Sequence, residues 1–145
     1  MSNGQSNQIL KVEELYKEVG TNYRYFLSWR HRLLAGYFVI LAALSIAFSW
    51  LYKKAHSLLW VTFSFGIIIT VVFWALEYRN RDLYHACQNT GEQLEKNNAA
   101  LDGIYLNLNK LQGKSVTHSL AINILYIATI ITMIVALVCF FSGSF

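Results

Sequence analysis

The densest run of side chains able to do chemistry is Glu77, Tyr78, Arg79, Asn80, Arg81, Asp82, Leu83, Tyr84 and His85. Within it, Arg79, Asn80 and His85 combine a fixed cation, an amide and an imidazole. That set could act on a phosphodiester, with the imidazole as acid or base and the guanidinium holding charge on the phosphate. Glu77 and Arg81 stand one helical turn apart, as do Arg81 and His85, so on a helix they would form one ion pair and, with the His protonated, one pair of like charges. The plainer chemistry is that of a polar collar, in which cations and aromatics at the end of an apolar run fix its depth in a bilayer. Arg24, Trp29, Arg30 and Arg32 form a second such cluster upstream. Together with Glu77, Arg79, Arg81 and His85 they make up the expected inner collar.

The spacing of Arg79, Asn80 and His85 resembles the motif of HEPN ribonucleases, an Arg followed by a polar residue and then a His. The resemblance implies a composite site only if two copies bring their His85 residues together. Elsewhere there is no nucleophile with a base, no glycine-rich phosphate loop and no recognisable carboxylate pair. His31, His56, His85 and His118 are scattered singly, and Cys87 and Cys139 fall in segments that would not meet. No catalytic residue, cofactor, metal site or disulfide is expected, and the chain does not read as an enzyme.

The elements that carry these residues are set by the distribution of charge. Leu33 to Tyr52, Leu58 to Leu76 and Leu120 to Phe141 contain no Asp, Glu, Lys, Arg or His. Each is about 20 residues, enough to cross a hydrocarbon core of roughly 30 Å as a helix. None shows the polar face of a soluble core helix. The reading is an all-α integral membrane protein with three transmembrane helices and amphipathic cytoplasmic helices, assembled as an oligomeric helical bundle. Its segments are a disordered tail (1–8), an amphipathic helix (9–32), a first span (33–52), an external loop (53–57), a second span (58–76), a cytoplasmic segment (77–117), a third span (118–141) and an external tail (142–145). A cleaved signal peptide does not fit, because the small triplet Ser45, Ile46, Ala47 sits inside the first apolar run and two more spans follow. Asn123 is the costliest polar group within a span.

Orientation follows from Lys and Arg near the span ends. Arg24, Arg30, Arg32, Arg79, Arg81, Lys110 and Lys114 fall on one side, against Lys53 and Lys54 on the other. That places the N-terminus in the cytoplasm and the C-terminus outside, in a bacterial inner membrane. All 8 acidic residues share the inner side, so the net charge of +4 reports topology rather than a nucleic-acid surface. No direct nucleic-acid binding is expected.

Both cytoplasmic segments carry a heptad-like stripe. Ile9, Val12, Tyr16, Val19, Tyr23 and Phe26 recur in steps of three and four, and so do Leu83, Cys87, Thr90, Leu94, Asn97, Leu101, Ile104, Leu108 and Leu111. Within the second set, Leu83, Leu94, Asn97, Leu101, Ile104 and Leu108 are the expected assembly seam, with Asn97 placed as a buried polar residue that fixes register. Two arrangements of residues 77–117 fit the sequence: one continuous helix, or a hairpin that turns at Lys96, Asn97, Asn98. Stripes of this kind need a partner, and small residues such as Ala35, Gly36, Ala42, Ala128 and Ala136 in the spans permit close helix approach. The lipid bilayer and further copies of the chain are the expected partners.

The spans lack the ionisable groups and helix breaks of secondary transporters, and no charged ring or carbonyl filter marks an ion-selective channel. What remains is a pore or membrane-disrupting assembly, or a non-conducting scaffold that tethers a cytoplasmic enzyme.

A short helix entering two closely spaced spans, followed by a cytoplasmic helix opening with Leu76, Glu77, Tyr78, Arg79, Asn80, Arg81, resembles small bacterial membrane effectors of the SLATT type. Tyr25, Phe26, Leu27, Ser28, Trp29 and Arg30 before the first span add to the likeness, which covers roughly residues 9 to 112. The third span departs from the two-span layout of that group. The resemblance implies a cell-suicide or membrane-depolarising role in anti-phage defence, switched on by a cytoplasmic sensor or nuclease partner.

From the heptad alone, Leu101→Asp should dissolve the oligomer without preventing membrane insertion. A variant that still runs at full oligomer size in detergent would contradict the seam.

Overall fold

The computed structural model describes residues 3–98, 103–112 and 118–143. Every regular element among them is helical: α1 (Asn3–Lys54), α2 (Leu59–Asn97), α3 (Ile104–Gln112) and α4 (His118–Phe141), with a 3₁₀ turn (His56–Leu58) between α1 and α2. Three of these helices are long and apolar enough to cross a membrane. The absence of proline from the sequence lets α1 and α2 run 52 and 39 residues without a missing backbone donor. The polar N-terminal residues, expected as a disordered tail, join α1 from Asn3, whereas Met1 and Ser2 lie outside the described residues. Extending an existing helix adds one bond per residue fixed and avoids the cost of nucleation, so weak helix formers are carried along.

Contacts divide the chain into two units, Met1–Arg30 with Arg79–Ser115, and His31–Tyr78 with Val116–Phe145. α1 and α2 each contribute to both. The apolar unit holds the segments expected to span the membrane. Its core is Tyr37, Ile122 and Tyr126, with Leu34, Leu41, Phe73, Trp74 and Leu125 packed around them. Much apolar surface stays outside this core: Val39, Ile46 and Val138 are more than half exposed. Apolar surface this extensive suits contact with lipid or another protein.

Several polar groups in the apolar runs are tied off within this unit. Tyr37 and Thr70 share a hydrogen bond of 3.1 Å, and Thr70 also donates to the Gly66 carbonyl. Trp74 Nε1 donates to Asn123 Oδ1 at 3.2 Å, which satisfies the amide oxygen of the costliest polar residue in the apolar runs. The hydroxyls of Ser45, Ser49, Thr129 and Thr132 donate to carbonyls one turn back on their own helices. In a medium without water, such back-bonding avoids the several kcal/mol, roughly, of an unmade hydrogen bond.

In the other, polar unit (Met1–Arg30 with Arg79–Ser115) α2 stops at Asn97, and the Asn98 side chain donates to the Leu94 carbonyl, tying off the helix end. The described chain resumes at Gly103, whose φ of +68° is open to glycine at little cost, and its carbonyl accepts the first bond of α3 from Asn107. α2 and α3 are thus two helices, and α3 lies back against α2. The stripe from Leu83 to Leu111 is interrupted between Asn97 and Ile104. Two consecutive Asn residues and a glycine at left-handed φ outweigh the apolar periodicity that favours continuity.

Gly91 on α2 is the contact that lets α3 return, because a Cβ there would lie 2.6 Å from Cε2 of the Tyr105 ring. Tyr105 is 5% exposed, so its ring is packed where the added Cβ would intrude. Gly91→Ala gains about 1 kcal/mol of helix propensity but forces overpacking of about 1–3 kcal/mol, so we expect a net loss of stability in this unit. Thermal unfolding in detergent would check it; a variant as stable as the parent would contradict the packing.

Candidate functional site

The collar residues differ in burial. Arg24, Arg32 and Arg79 are exposed, Trp29 is 37% exposed, and Arg81 and His85 are half-buried. Arg30 and Glu77 point inward, at 6% and 4% exposure. The Arg30 guanidinium lies 5.9 Å from the centroid of the Tyr84 ring, within cation–π range. Arg32 and Glu77 belong to the apolar unit, and Arg24, Trp29, Arg30, Arg79, Arg81 and His85 to the other.

The nuclease-like set does not converge within one chain. Asn80 is fully buried, its Nδ2 donating to the Phe26 carbonyl at 3.1 Å, while Arg79 faces outward. Arg79 and His85 sit six positions apart on an unbroken helix, which puts them roughly 9 Å apart along the axis and on different faces. Burial lowers the His85 pKa, aided by Arg81 and Arg30 and opposed by Asp82 and a hydrogen bond with Gln88, so the imidazole is neutral near pH 7.

The expected seam lies mostly outward. Leu83 and Ile104 are 37% and 51% exposed, Leu94 and Leu108 are half-buried, Asn97 is exposed, and Leu101 lies outside the described residues. The face of α2 that is buried within the chain is one position over: Asn80, Tyr84, Gln88, Gly91 and Glu95. These residues also recur in steps of three and four. A search for apolar periodicity misses them, because it scores a stripe of amide, phenol, glycine and carboxylate as solvent-facing.

The last residue of this stripe is Glu95, 5% exposed. Its Oε1 accepts from the Tyr16 hydroxyl at 2.7 Å and from the Tyr105 N–H at 2.9 Å, and its Oε2 accepts from the Leu106 N–H at 2.9 Å. One carboxylate thus joins α1, α2 and the first turn of α3. The residue preceding α3 is Gly103, which has no side chain to cap the helix, and a carboxylate from another helix takes the orphan donors instead. The negative charge is also favoured at the positive end of the helix dipole. Burial by itself pushes the Glu95 pKa up, but the hydrogen bonds from Tyr16 and from the N–H groups of Tyr105, Leu106 and Ile104 outweigh it and leave the value lowered.

Aromatic rings surround this contact. Tyr105 meets Tyr16 and Tyr23 edge to face, at centroid distances of 5.6 and 5.8 Å, and Tyr23 meets Tyr84 at 6.1 Å. Burial raises the pKa of Tyr23 and Tyr105, so both stay protonated donors at neutral pH. Burial likewise raises the Cys87 thiol, which disfavours the reactive thiolate. Between α1 and α3 lies a groove of about 590 Å³, lined by Tyr16, Lys17, Gly20, Thr21, Tyr23 and Arg24 on one side and Ile104, Tyr105 and Leu108 on the other. The sequence pattern puts Tyr16 and Tyr23 on the amphipathic stripe and gives no structural role to Glu95, Tyr105 or the groove. Tyr16 lies 79 positions from Glu95 and Tyr105 lies 10 from it, so the contact is closed by tertiary folding and no local spacing points to it.

Glu95→Ala removes charge-assisted hydrogen bonds of about 1.5–3 kcal/mol each before relaxation, and we expect the largest loss of stability of any substitution in this unit. Because the folded pKa is lowered, the contribution of Glu95 is fully present above its ordinary value of 4.5 and is lost as pH falls through the lowered value. Thermal unfolding against pH should therefore show an acid-side loss that Glu95→Gln flattens. An unchanged pH profile in that variant would contradict the assignment.

No protein-family model, curated protein or solved structure matches this chain.

Proposed function

We propose that the chain is a homo-oligomeric effector of the bacterial inner membrane, with its N-terminus inside and its C-terminus outside. In this reading a signal received by the cytoplasmic helices is passed to the spans, which form a pore or perturb the bilayer, in a role such as anti-phage defence. The observation that carries it is the continuity of α1 and α2, each of which runs without interruption through an apolar segment and a polar one. A small shift or rotation at one end of a continuous helix is carried to the other. Copies would meet through the outward Leu83 and Leu94 face of α2, a stripe that the chain leaves partly uncovered.

The core of the apolar unit is filled by Tyr37, Ile122 and Tyr126, so any lumen would form between copies. The same filled core favours a second reading, a non-conducting scaffold or regulatory subunit that tethers a cytoplasmic enzyme. Induced expression with a voltage-sensitive dye separates the two. The effector reading expects depolarisation that the double variant Leu83→Asp, Leu94→Asp abolishes while the protein still inserts. A chain that leaves the potential unchanged, alone and with its triggering partner, would be a scaffold.

A further inference from the structure

The groove between α1 and α3 has the lining of a ligand site, and nothing in the effector reading uses it. Its volume of about 590 Å³ falls in the range of small-molecule pockets. Its walls are largely aromatic and aliphatic, from Tyr16, Tyr23, Tyr105, Ile104 and Leu108. Lys17 and Arg24 bring two exposed cations to the rim. Lys17 has Glu13 and Glu14 about one turn back, whereas Arg24 has no acidic residue three or four positions away on its helix. Arg24 is therefore the less compensated of the two. Gly20, midway between the cations, leaves the wall low: a Cβ there would stand 3.4 Å from the Tyr105 hydroxyl.

We propose that this groove binds a soluble aromatic organic phosphate, with its ring against the tyrosines and its phosphate between Lys17 and Arg24. Flat rings supply apolar area and π-faces, and the two cations with the Tyr23 and Tyr105 phenols supply the charge and donors that an anion needs. A lipid headgroup offers the same phosphate but no flat ring to lie against the tyrosines, so a headgroup site would take phosphate without needing the ring. A ligand spanning the groove would clamp α3 to α1, which names the chemistry of the trigger; that consequence rests on the effector reading, whereas the binding does not.

The test is calorimetric titration of the full chain in zwitterionic nanodiscs with adenosine monophosphate as the probe, beside adenosine and inorganic phosphate. The expected result is saturable binding that weakens about tenfold or more in Lys17→Glu and in Arg24→Glu and at raised salt, with adenosine and phosphate each weaker than the probe. Both positions are exposed, so unchanged thermal unfolding of the variants shows that the fold is intact. No saturable binding, binding indifferent to charge reversal, or phosphate alone binding as tightly as the probe would overturn the proposal. Ion flux in liposomes is read separately: a chain that binds the probe but never conducts keeps the site and contradicts the pore.

Discussion

The carboxylate of Glu95 meets the first turn of α3 and the Tyr16 hydroxyl at once, and the arrangement of the polar unit follows from that meeting. α3 is 9 residues long, below the length at which an isolated helix persists in water. It needs both a cap and a packed face. Glu95 supplies the first, and Tyr105, seated on Gly91 between Tyr16 and Tyr23, supplies the second. Replacing either would leave buried polar groups or a ring without its socket.

The two units solve the same problem with different materials. In the apolar unit, phenol, indole and amide groups pair across helices, as in Tyr37 with Thr70 and Trp74 with Asn123, and lone hydroxyls bond back to their own turns. In the polar unit the buried face of α2 is itself polar, and its groups are held by backbone donors, phenols and a guanidinium over a ring. Both leave apolar residues outward: Ile46 and Val138 in one, Leu83 and Ile104 in the other. The first pair suits lipid, and the second suits another protein surface.

Three apolar helices were legible from charge-free runs alone, because a bilayer imposes a length and a composition that no soluble helix needs. The end of α2 at Asn97 was legible as one of two arrangements, from Lys96, Asn97 and Asn98. The buried face of α2 was not. A hydrophobic stripe at Leu83, Leu94 and Leu108 outscores the polar one at Gln88 and Glu95, although the latter is inside, because its groups find their partners only once the rest of the unit has folded against them. The collar reads as one feature from its composition, yet Arg30 and Glu77 turn in where Arg32 and Arg79 turn out, a difference that helix register decides and residue type does not.

Amide hydrogen exchange at Tyr105 and Leu106 tests the central claim most directly. If the Glu95 carboxylate holds the start of α3, both amides exchange slowly in the parent chain and at the rate of a free turn in Glu95→Leu, while the amides at the middle of α4 are unaffected. Equal protection of Tyr105 and Leu106 in the two proteins would mean that α3 is held by something other than this carboxylate, and would contradict the account.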